Sequence, residues 1–352
     1  MSSTTVISID AMGGDRGPAA VLDGMVRALR RNPGLRFLVH GDQSVISPLI
    51  SRRKILNDNF EIRHCPGVVR MEDKPARAIR ERRDSSMWHS LQTVAKGDAE
   101  VAVSSGNTGA LMGMSVFVLR KASGVDRPAI AVQWPADNTH GYNTVLDMGA
   151  DIRADARSLL QYSVMGAEYA RLSYGIEHPR VGVLNIGTEE TKGPDERRVA
   201  LQLIAEAAQH PAAMFKSVGF VEGNDLPGNK ADVIVTDGFT GNVALKAAEG
   251  TASFIRRTLK GAFKHSIISQ LGALLVMPSL KRFSKRIDPR RVNGGVFLGL
   301  NGTVVKSHGG ADAVGFESAI GLAAKMAESN FSERVAKQLA ALEDPLSGTP
   351  DK

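Results

Sequence analysis

Two loops in this chain carry the residue types that hold small anions without covalent chemistry: Ser104-Ser-Gly-Asn-Thr-Gly109 and Thr236-Asp-Gly-Phe-Thr-Gly-Asn242. Each follows a short apolar, β-branched run and precedes an apolar stretch of helical length, so each is read as the turn that opens a helix. The first amides of a helix have no partner within it, and together they attract anions. Asn107, Thr108, Thr240, Gly241 and Asn242 add backbone and neutral side-chain donors there, and Gly14 lies in a third such turn, Asp10-Ala-Met-Gly-Gly-Asp15. Lys192, beyond another strand-like run, supplies a positive charge. If these loops share one crevice, they suit inorganic phosphate. The plainer reading is that Asn and Thr cap helices and Gly makes turns, which explains any single loop equally well.

His308, in Lys306-Ser-His-Gly309, follows a strand and is placed to exchange a proton with a bound phosphate; a capping or core histidine is the alternative. No Gly-Lys-Ser/Thr stands at Walker A spacing, and Gly13-Gly14-Asp-Arg-Gly17 misses the dinucleotide pattern Gly-x-Gly-x-x-Gly. The single cysteine, Cys65, lies in a half-buried strand and has no internal disulfide partner. No His-x-x-x-His or Cys pair points to zinc, and Asp10, Asp15, Asp147 and Asp237 read as structural rather than as magnesium ligands. The expectation is therefore of no metal and no cofactor.

The elements that must position these loops alternate in βαβ rhythm. Val6–Ile9, Leu35–Val39, Ala99–Val103, Ala129–Val132, Asn143–Leu146, Val181–Leu184, Val218–Val221 and Val233–Val235 read as strands, most of them running into Gly, Asn, Thr or Asp. In open α/β sheets the ligand sits beyond the carboxyl ends of the strands, where these loops fall. With 352 residues, 43% of them hydrophobic, the chain has enough material for a large core. We expect one α/β domain over 1–345, two-lobed if divided, and a loose tail at 346–352.

The net charge of +7 favours an acidic partner, whether nucleic acid, anionic lipid, acidic protein or a phosphate-bearing substrate. Between Thr251 and Ile287 there is no Asp or Glu, yet Arg256, Arg257, Lys260, Lys264, Lys281, Arg282, Lys285 and Arg286 are present. Ile255, Leu259, Phe263, Leu271 and Leu274 recur there at helical spacing. The segment 250–290 is read as a pair of amphipathic helices, broken near Pro278, that rests on anionic lipid or docks an acidic protein; packing on the protein's own core or on a dimer mate is the alternative. The start of the chain lacks the basic and long apolar regions of a signal peptide, and no apolar run approaches the roughly 20 residues of a membrane span. A cytoplasmic protein is expected, and if the stripe meets lipid the surface would be the inner face of the cell membrane.

Taken in order, the loops resemble the phosphate acyltransferase family of phospholipid synthesis, the PlsX family, over nearly the whole chain. The resemblance is carried by Ile9-Asp-Ala-Met-Gly-Gly-Asp15, Lys74-Pro-Ala-Arg-Ala-Ile-Arg80 with Ser85-Ser-Met87, and Ser105-Gly-Asn-Thr-Gly-Ala110. Arg127-Pro-Ala-Ile130, Asn185-Ile-Gly187 with Lys192-Gly193, Phe220-Val-Glu-Gly-Asn-Asp225, Asp237-Gly-Phe-Thr-Gly-Asn-Val243 and Lys306-Ser-His-Gly309 continue it. The resemblance implies transfer of a fatty acyl group from acyl carrier protein to inorganic phosphate, independent of metal and nucleotide. The acyl phosphate would then feed an acyl-phosphate glycerol-3-phosphate acyltransferase. It also implies a homodimer, peripheral membrane attachment and no nucleic-acid partner. The implied fold is a three-layer Rossmann-like α/β sandwich with a mixed or parallel sheet, similar to isocitrate and isopropylmalate dehydrogenases and to phosphotransacetylases. Two positions depart from the family pattern: Asp151 where Asn is expected in Leu146-Asp-Met-Gly-Ala-Asp151, and Pro194 after Lys192-Gly193. The added negative charge of Asp151 argues against anion binding at that position.

Two other classes fit parts of this pattern. An NAD-linked decarboxylating dehydrogenase of similar fold would need a magnesium-holding aspartate cluster and an adenosine site, neither of which is visible. A non-catalytic membrane adaptor for carrier protein would use the basic helices alone and leave the Gly-Asn-Thr loops unexplained.

Overall fold

The computed structural model describes residues 4–56, 58–189, 191–286, 294–327 and 329–342, with the backbone alone at 267 and 280–286. Its eleven strands form one sheet in the order β3-β2-β1-β4-β11-β10-β5-β6-β9-β7-β8. These are β1 (Thr5–Asp10), β2 (Leu35–Gly41), β3 (Phe60–His64), β4 (Val101–Ser104), β5 (Ala129–Pro135) and β6 (Tyr142–Leu146). The remainder are β7 (Arg180–Leu184), β8 (Lys216–Val221), β9 (Val233–Val235), β10 (Gly295–Leu298) and β11 (Thr303–Lys306). Most neighbours are parallel, as crossover helices require. The exceptions are the hairpins β5–β6 and β10–β11 and the pair β10–β5, all antiparallel.

Helices cover both faces, making three layers. One face carries α1 (Gly17–Arg31), α6 (Ala156–Tyr174), α7 (Asp195–Gln209), α10 (Ala313–Ala327) and α11 (Phe331–Ala341) over a core that includes Ile7, Ile9, Val103 and Val305. The other carries α3 (Pro75–Glu81), α4 (Ser86–Ala95), α5 (Thr108–Leu119) and the first turns of α8 (Gly238–Lys264) over Ala102, Val304, Ile130 and Ile234. α2 (Gln43–Ile50) closes the β2–β3 end. Strand side chains alternate between faces, so one apolar run feeds both cores. That is why these strands read as nearly continuous hydrophobic sequence.

α8, 27 residues and ~40 Å long, is far longer than the strands it crosses. Its outer turns leave the body, and α9 (Ile267–Arg286) folds back on it to make a helical arm. The break falls at His265–Ser266, where Ser266 Oγ accepts from the Ser269 amide at 3.1 Å and restarts the helix. Pro278, expected to mark the break, instead lies inside α9. The expected tail at 346–352 lies outside the described residues.

Candidate active site

Three parallel strands end level with one another. Asp10 of β1 pairs in register with Ser104 of β4, and Ser104 with Lys306 of β11. Matched positions on parallel strands project from the same face, so the three side chains form one row across about 10 Å of sheet. Residues two places earlier identify the face: Ala102 and Val304 pack beneath α4 and α5, and Ser8 Oγ donates to Ser90 O of α4 at 2.9 Å.

Asp10 is 1% exposed and accepts from Ser86 Oγ and Ser104 Oγ, each at 2.6 Å, and from the Met12 amide at 3.3 Å. Ser86 is delivered by the first turn of α4, whose N-cap Ser85 accepts from the Trp88 amide. Burial drives the Asp10 pKa upward against the pull of these donors. Lys306, 9% exposed, donates from Nζ to Ser307 O, its one acceptor among the described residues. An ammonium carries three donors, so the others remain available to a ligand. Burial lowers the Lys306 pKa to about 8, with Asp10 and Asp15 opposing the shift and Lys246 of α8 reinforcing it. A buried cation without a contacting carboxylate is short of an anion.

Three loops interlock around this row and leave no space for a side chain at Gly13 or Gly14. A Cβ on Gly13 would lie 2.7 Å from both Asp10 Oδ2 and the Gly106 amide nitrogen. Gly14 has φ +87, and a Cβ there would meet Ser105 Oγ at 2.6 Å and Gly309 O at 2.9 Å. Ser105 Oγ donates to Gly13 O, the Asp15 amide to Gly309 O and the Ser307 amide to Ser104 O. Asn107 caps α5: its Oδ1 accepts from the Ala110 amide at 3.0 Å, while Nδ2 donates to Met71 O and Asp73 O. Its side chain is thereby committed to structure. The amides of Thr108 and Gly109, first in the helix, are the ones left for an anion. His308 is exposed at the same strand end, and its Nδ1 accepts from the Gly310 amide at 3.1 Å, which leaves Nε2 as the protonated nitrogen of the neutral ring.

Gly14, Asn107, Thr108 and His308 thus lie on the loops that follow β1, β4 and β11, at the strand ends where Lys306 sits. Thr240, Gly241, Asn242 and Lys192 do not join them. The antiparallel strands between the two halves of the sheet reverse its direction, so β6, β7 and β9 end at the edge opposite to β1, β4 and β11. The two edges are about one strand length, ~15 Å, apart. The single crevice expected from the sequence does not form within one chain.

At that far edge the polar groups largely satisfy one another. Asp147 accepts from the amides of Ile130, Gly149, Ala150 and Asp151 at 2.9–3.2 Å. Asp237 caps α8, taking both the amide and the hydroxyl of Thr240 at 2.8 Å, and pairs with Arg197. Gly241 lies flat on Asp147 O, Asn242 rests against Gly149, and Asn185 Nδ2 donates to Gly187 O and Lys192 O to close the 185–193 loop. Lys192 pairs at 2.7 Å with Glu189, an exposed partner that raises its pKa. Asp151, the first departure from the family pattern, is engaged by Arg127, and Pro194, the second, is the N-cap of α7. Since Asp147 and Asp237 sit apart from Asp10 and Asp15, the four do not make one cation site, and no group of three or more His, Cys, Asp or Glu is disposed to hold a metal among the described residues.

The predicted membrane residues lie on the arm. Ile255 and Leu259 of α8 and Leu271 and Leu274 of α9 are exposed, as are Phe254, Ile268 and Leu275, and Phe263 is half-buried. Arg256, Arg257, Lys260 and Lys264 flank them, while the side chains of Lys281, Arg282, Lys285 and Arg286 lie outside the described residues. No described helix is long and apolar enough to cross a membrane.

Sequence reasoning passed over Lys306 and treated Asp10 only as a structural aspartate. The signal was present: Thr303-Val-Val-Lys306 places a lysine where a buried strand ends, a position that buries charge only with a compensating partner.

Residues 5–334 match the family described as fatty acid synthesis protein. The chain is 58% identical over 335 residues to the phosphate acyltransferase of Paracoccus denitrificans, covering 95% of this chain and 90% of that one. It is 57% identical over 340 residues to the phosphate acyltransferase of Rhodobacter capsulatus, covering 97% and 84%. Among solved structures, a phosphotransacetylase from Streptococcus pyogenes superposes with a TM-score of 0.62 at 15% identity, covering 92% of this chain and 94% of that one. The EutD phosphotransacetylase from Staphylococcus aureus gives 0.60, also at 15% identity, with 92% and 95% covered. At such identity the likeness concerns the fold alone, and it is the α/β fold expected. A family match across almost the full length, with relatives well above half identical, makes this chain an acyltransferase that belongs to the fatty acid synthesis protein family.

Proposed function

We propose that this acyltransferase moves a fatty acyl group from the thioester of acyl carrier protein to inorganic phosphate, and that the phosphate binds at Lys306. The observation that carries the reading is the buried, carboxylate-free Lys306 ammonium at the end of β11, next to the strand whose following helix opens with the free amides of Thr108 and Gly109. Phosphate needs no activated serine or cysteine; it must be held in line with the thioester while charge on the carbonyl oxygen is stabilised. An unprotonated oxygen of hydrogen phosphate attacks the carbonyl carbon and forms the acyl–oxygen bond. The carbon–sulfur bond breaks, sulfur leaves with its electron pair, and the proton of hydrogen phosphate ends on the thiol. No outside base, metal or nucleotide enters this balance. His308, exposed on the loop after β11, is the group we assign to relay that proton.

The product, an acyl phosphate, suits a glycerol-3-phosphate acylating enzyme, and its long chain suits delivery at a membrane. The α8–α9 arm supports that location: an apolar stripe flanked by cations favours an anionic lipid surface, with the rest of the arm available to a second copy in a homodimer.

The test is incubation of the pure protein with acyl carrier protein thioester and phosphate, without added metal or nucleotide, followed by hydroxylamine trapping of acyl phosphate. Hydroxamate formed in excess of the phosphate-free control, in which hydroxylamine reacts with the thioester itself, supports the reading. Free fatty acid alone, or no turnover, refutes it.

A further inference from the structure

The helices that begin at the Lys306 site also build a second surface. α4 starts there with Ser86 and α5 with Thr108, and the two run side by side across the sheet to Ala95 and Leu119. Trp88 and Gln92 of α4, Phe117 near the end of α5, and Lys96 and Arg120 just past the two helices line a cavity of about 270 Å³. Phe117 is 45% exposed on a helix whose other large side chains are mostly covered, and its ring centroid lies 5.5 Å from that of Trp88. The Arg83 guanidinium stands 5.4 Å from the Trp88 ring and 5.2 Å from the Phe117 ring, with Arg120 at 5.9 Å from Phe117.

Arg83, Lys96 and Arg120 have no carboxylate partner among the described residues. The acidic groups around them are occupied: Glu81 by Arg77 and Asp98 by Arg63, while the Asp84 carboxylate lies against Gly67. Arginines elsewhere, such as Arg27, Arg53, Arg180 and Arg334, do hold carboxylates. A guanidinium stacked on an aromatic face keeps its edge donors free for carboxylates, and a ring ringed by such cations is the composition of a binding hot spot. The partner it fits is acidic and presents an apolar side chain among its carboxylates. About nine residues of α5, ~13 Å, separate Phe117 from Thr108, so an occupant here reaches the phosphate only along a flexible arm. A carrier protein presents its thioester in that way.

We propose that the surface formed by Arg83, Lys96, Phe117 and Arg120 docks the acidic carrier protein that delivers the acyl thioester. This rests on the carrier-protein reading of the donor, and it assigns carrier protein to α4 and α5, leaving the α8–α9 arm for lipid.

The test compares the full-length protein with an Arg83→Glu, Arg120→Glu double variant, both checked by thermal melting, with Phe117→Ala as a second, uncharged probe. Binding of fluorescently labelled carrier protein lacking an acyl group is followed by anisotropy. The wild type should bind, more weakly as salt is raised, and the double variant should lose at least tenfold in affinity. kcat/KM for the carrier-protein thioester should fall in parallel, while kcat/KM for the same acyl group on a small pantetheine thioester stays within twofold. Equal binding by wild type and variants overturns the docking surface alone. A wild type that neither binds carrier protein nor turns over its thioester overturns the donor reading and the surface with it.

Discussion

Asp10 and Lys306 face the same side of the sheet two strands apart, with Ser104 between them and no ion pair joining them among the described residues. Asp10 is held by hydroxyls and amides, so its hydrogen-bonding capacity is spent on the loops. Lys306 retains donors that the protein leaves open. One group organises the strand ends, and the other is free to meet a ligand.

Removing that charge should therefore remove phosphate and spare the fold. Lys306→Met keeps most of the volume, and it should lower kcat/KM for phosphate by about 10²- to 10³-fold without lowering the melting temperature. Lys306→Arg should recover part of the loss. Steady-state kinetics with phosphate varied, beside thermal melts, read both.

The pH profile carries the same signature. Burial lowers the Lys306 pKa to about 8, so the side chain is charged below that pH and neutral above it. Phosphate binding to the ammonium should therefore weaken as pH rises through about 8, with kcat/KM for phosphate falling roughly tenfold per unit at higher pH. In Lys306→Arg the fall should move to higher pH. A profile that is flat to pH 10 in the wild type would place another group at the anion.

Close packing of the loops predicts a sharp contrast between glycines. Gly13→Ala forces a methyl onto the Asp10 carboxylate and the Gly106 backbone, and should cost about 1–3 kcal/mol in denaturant unfolding together with most of the activity. Gly250 lies in α8 with nothing near its Cβ position; Gly250→Ala should stabilise by about 0.5–1 kcal/mol through helix propensity and leave turnover unchanged.

On the arm, Leu271→Glu puts a carboxylate into the exposed apolar stripe. Flotation with anionic vesicles should show reduced association, and the effect should exceed that of a control substitution on the body such as Ile152→Glu. Undiminished flotation would separate the arm from lipid.

The fold was legible because each buried strand is an apolar, β-branched run ending in a turn residue, a local signal that Val181–Leu184 or Val233–Val235 carries by itself. Strand direction is not local. Nothing in Thr236–Asn242 states that β9 runs against β4; that follows from the three reversals at β11–β10, β10–β5 and β5–β6, and it separates Asn242 from Asn107. Capping roles were equally hidden, since the Asp237 that takes the Thr240 donors and the Met71 and Asp73 carbonyls that take those of Asn107 are identified only once the chain is folded. Lys306 escaped notice for the converse reason: a lysine in sequence reads as surface, and only the row Asp10, Ser104, Lys306 shows that it is buried.

The most direct measurement is a crystal structure of the protein grown with millimolar orthophosphate. Tetrahedral density within hydrogen-bond distance of Lys306 Nζ and the amides of Thr108 and Gly109 is the predicted result. Phosphate bound instead at the far edge of the sheet, against Lys192, Thr240 or Asn242, with the Lys306 site holding only water, would contradict it.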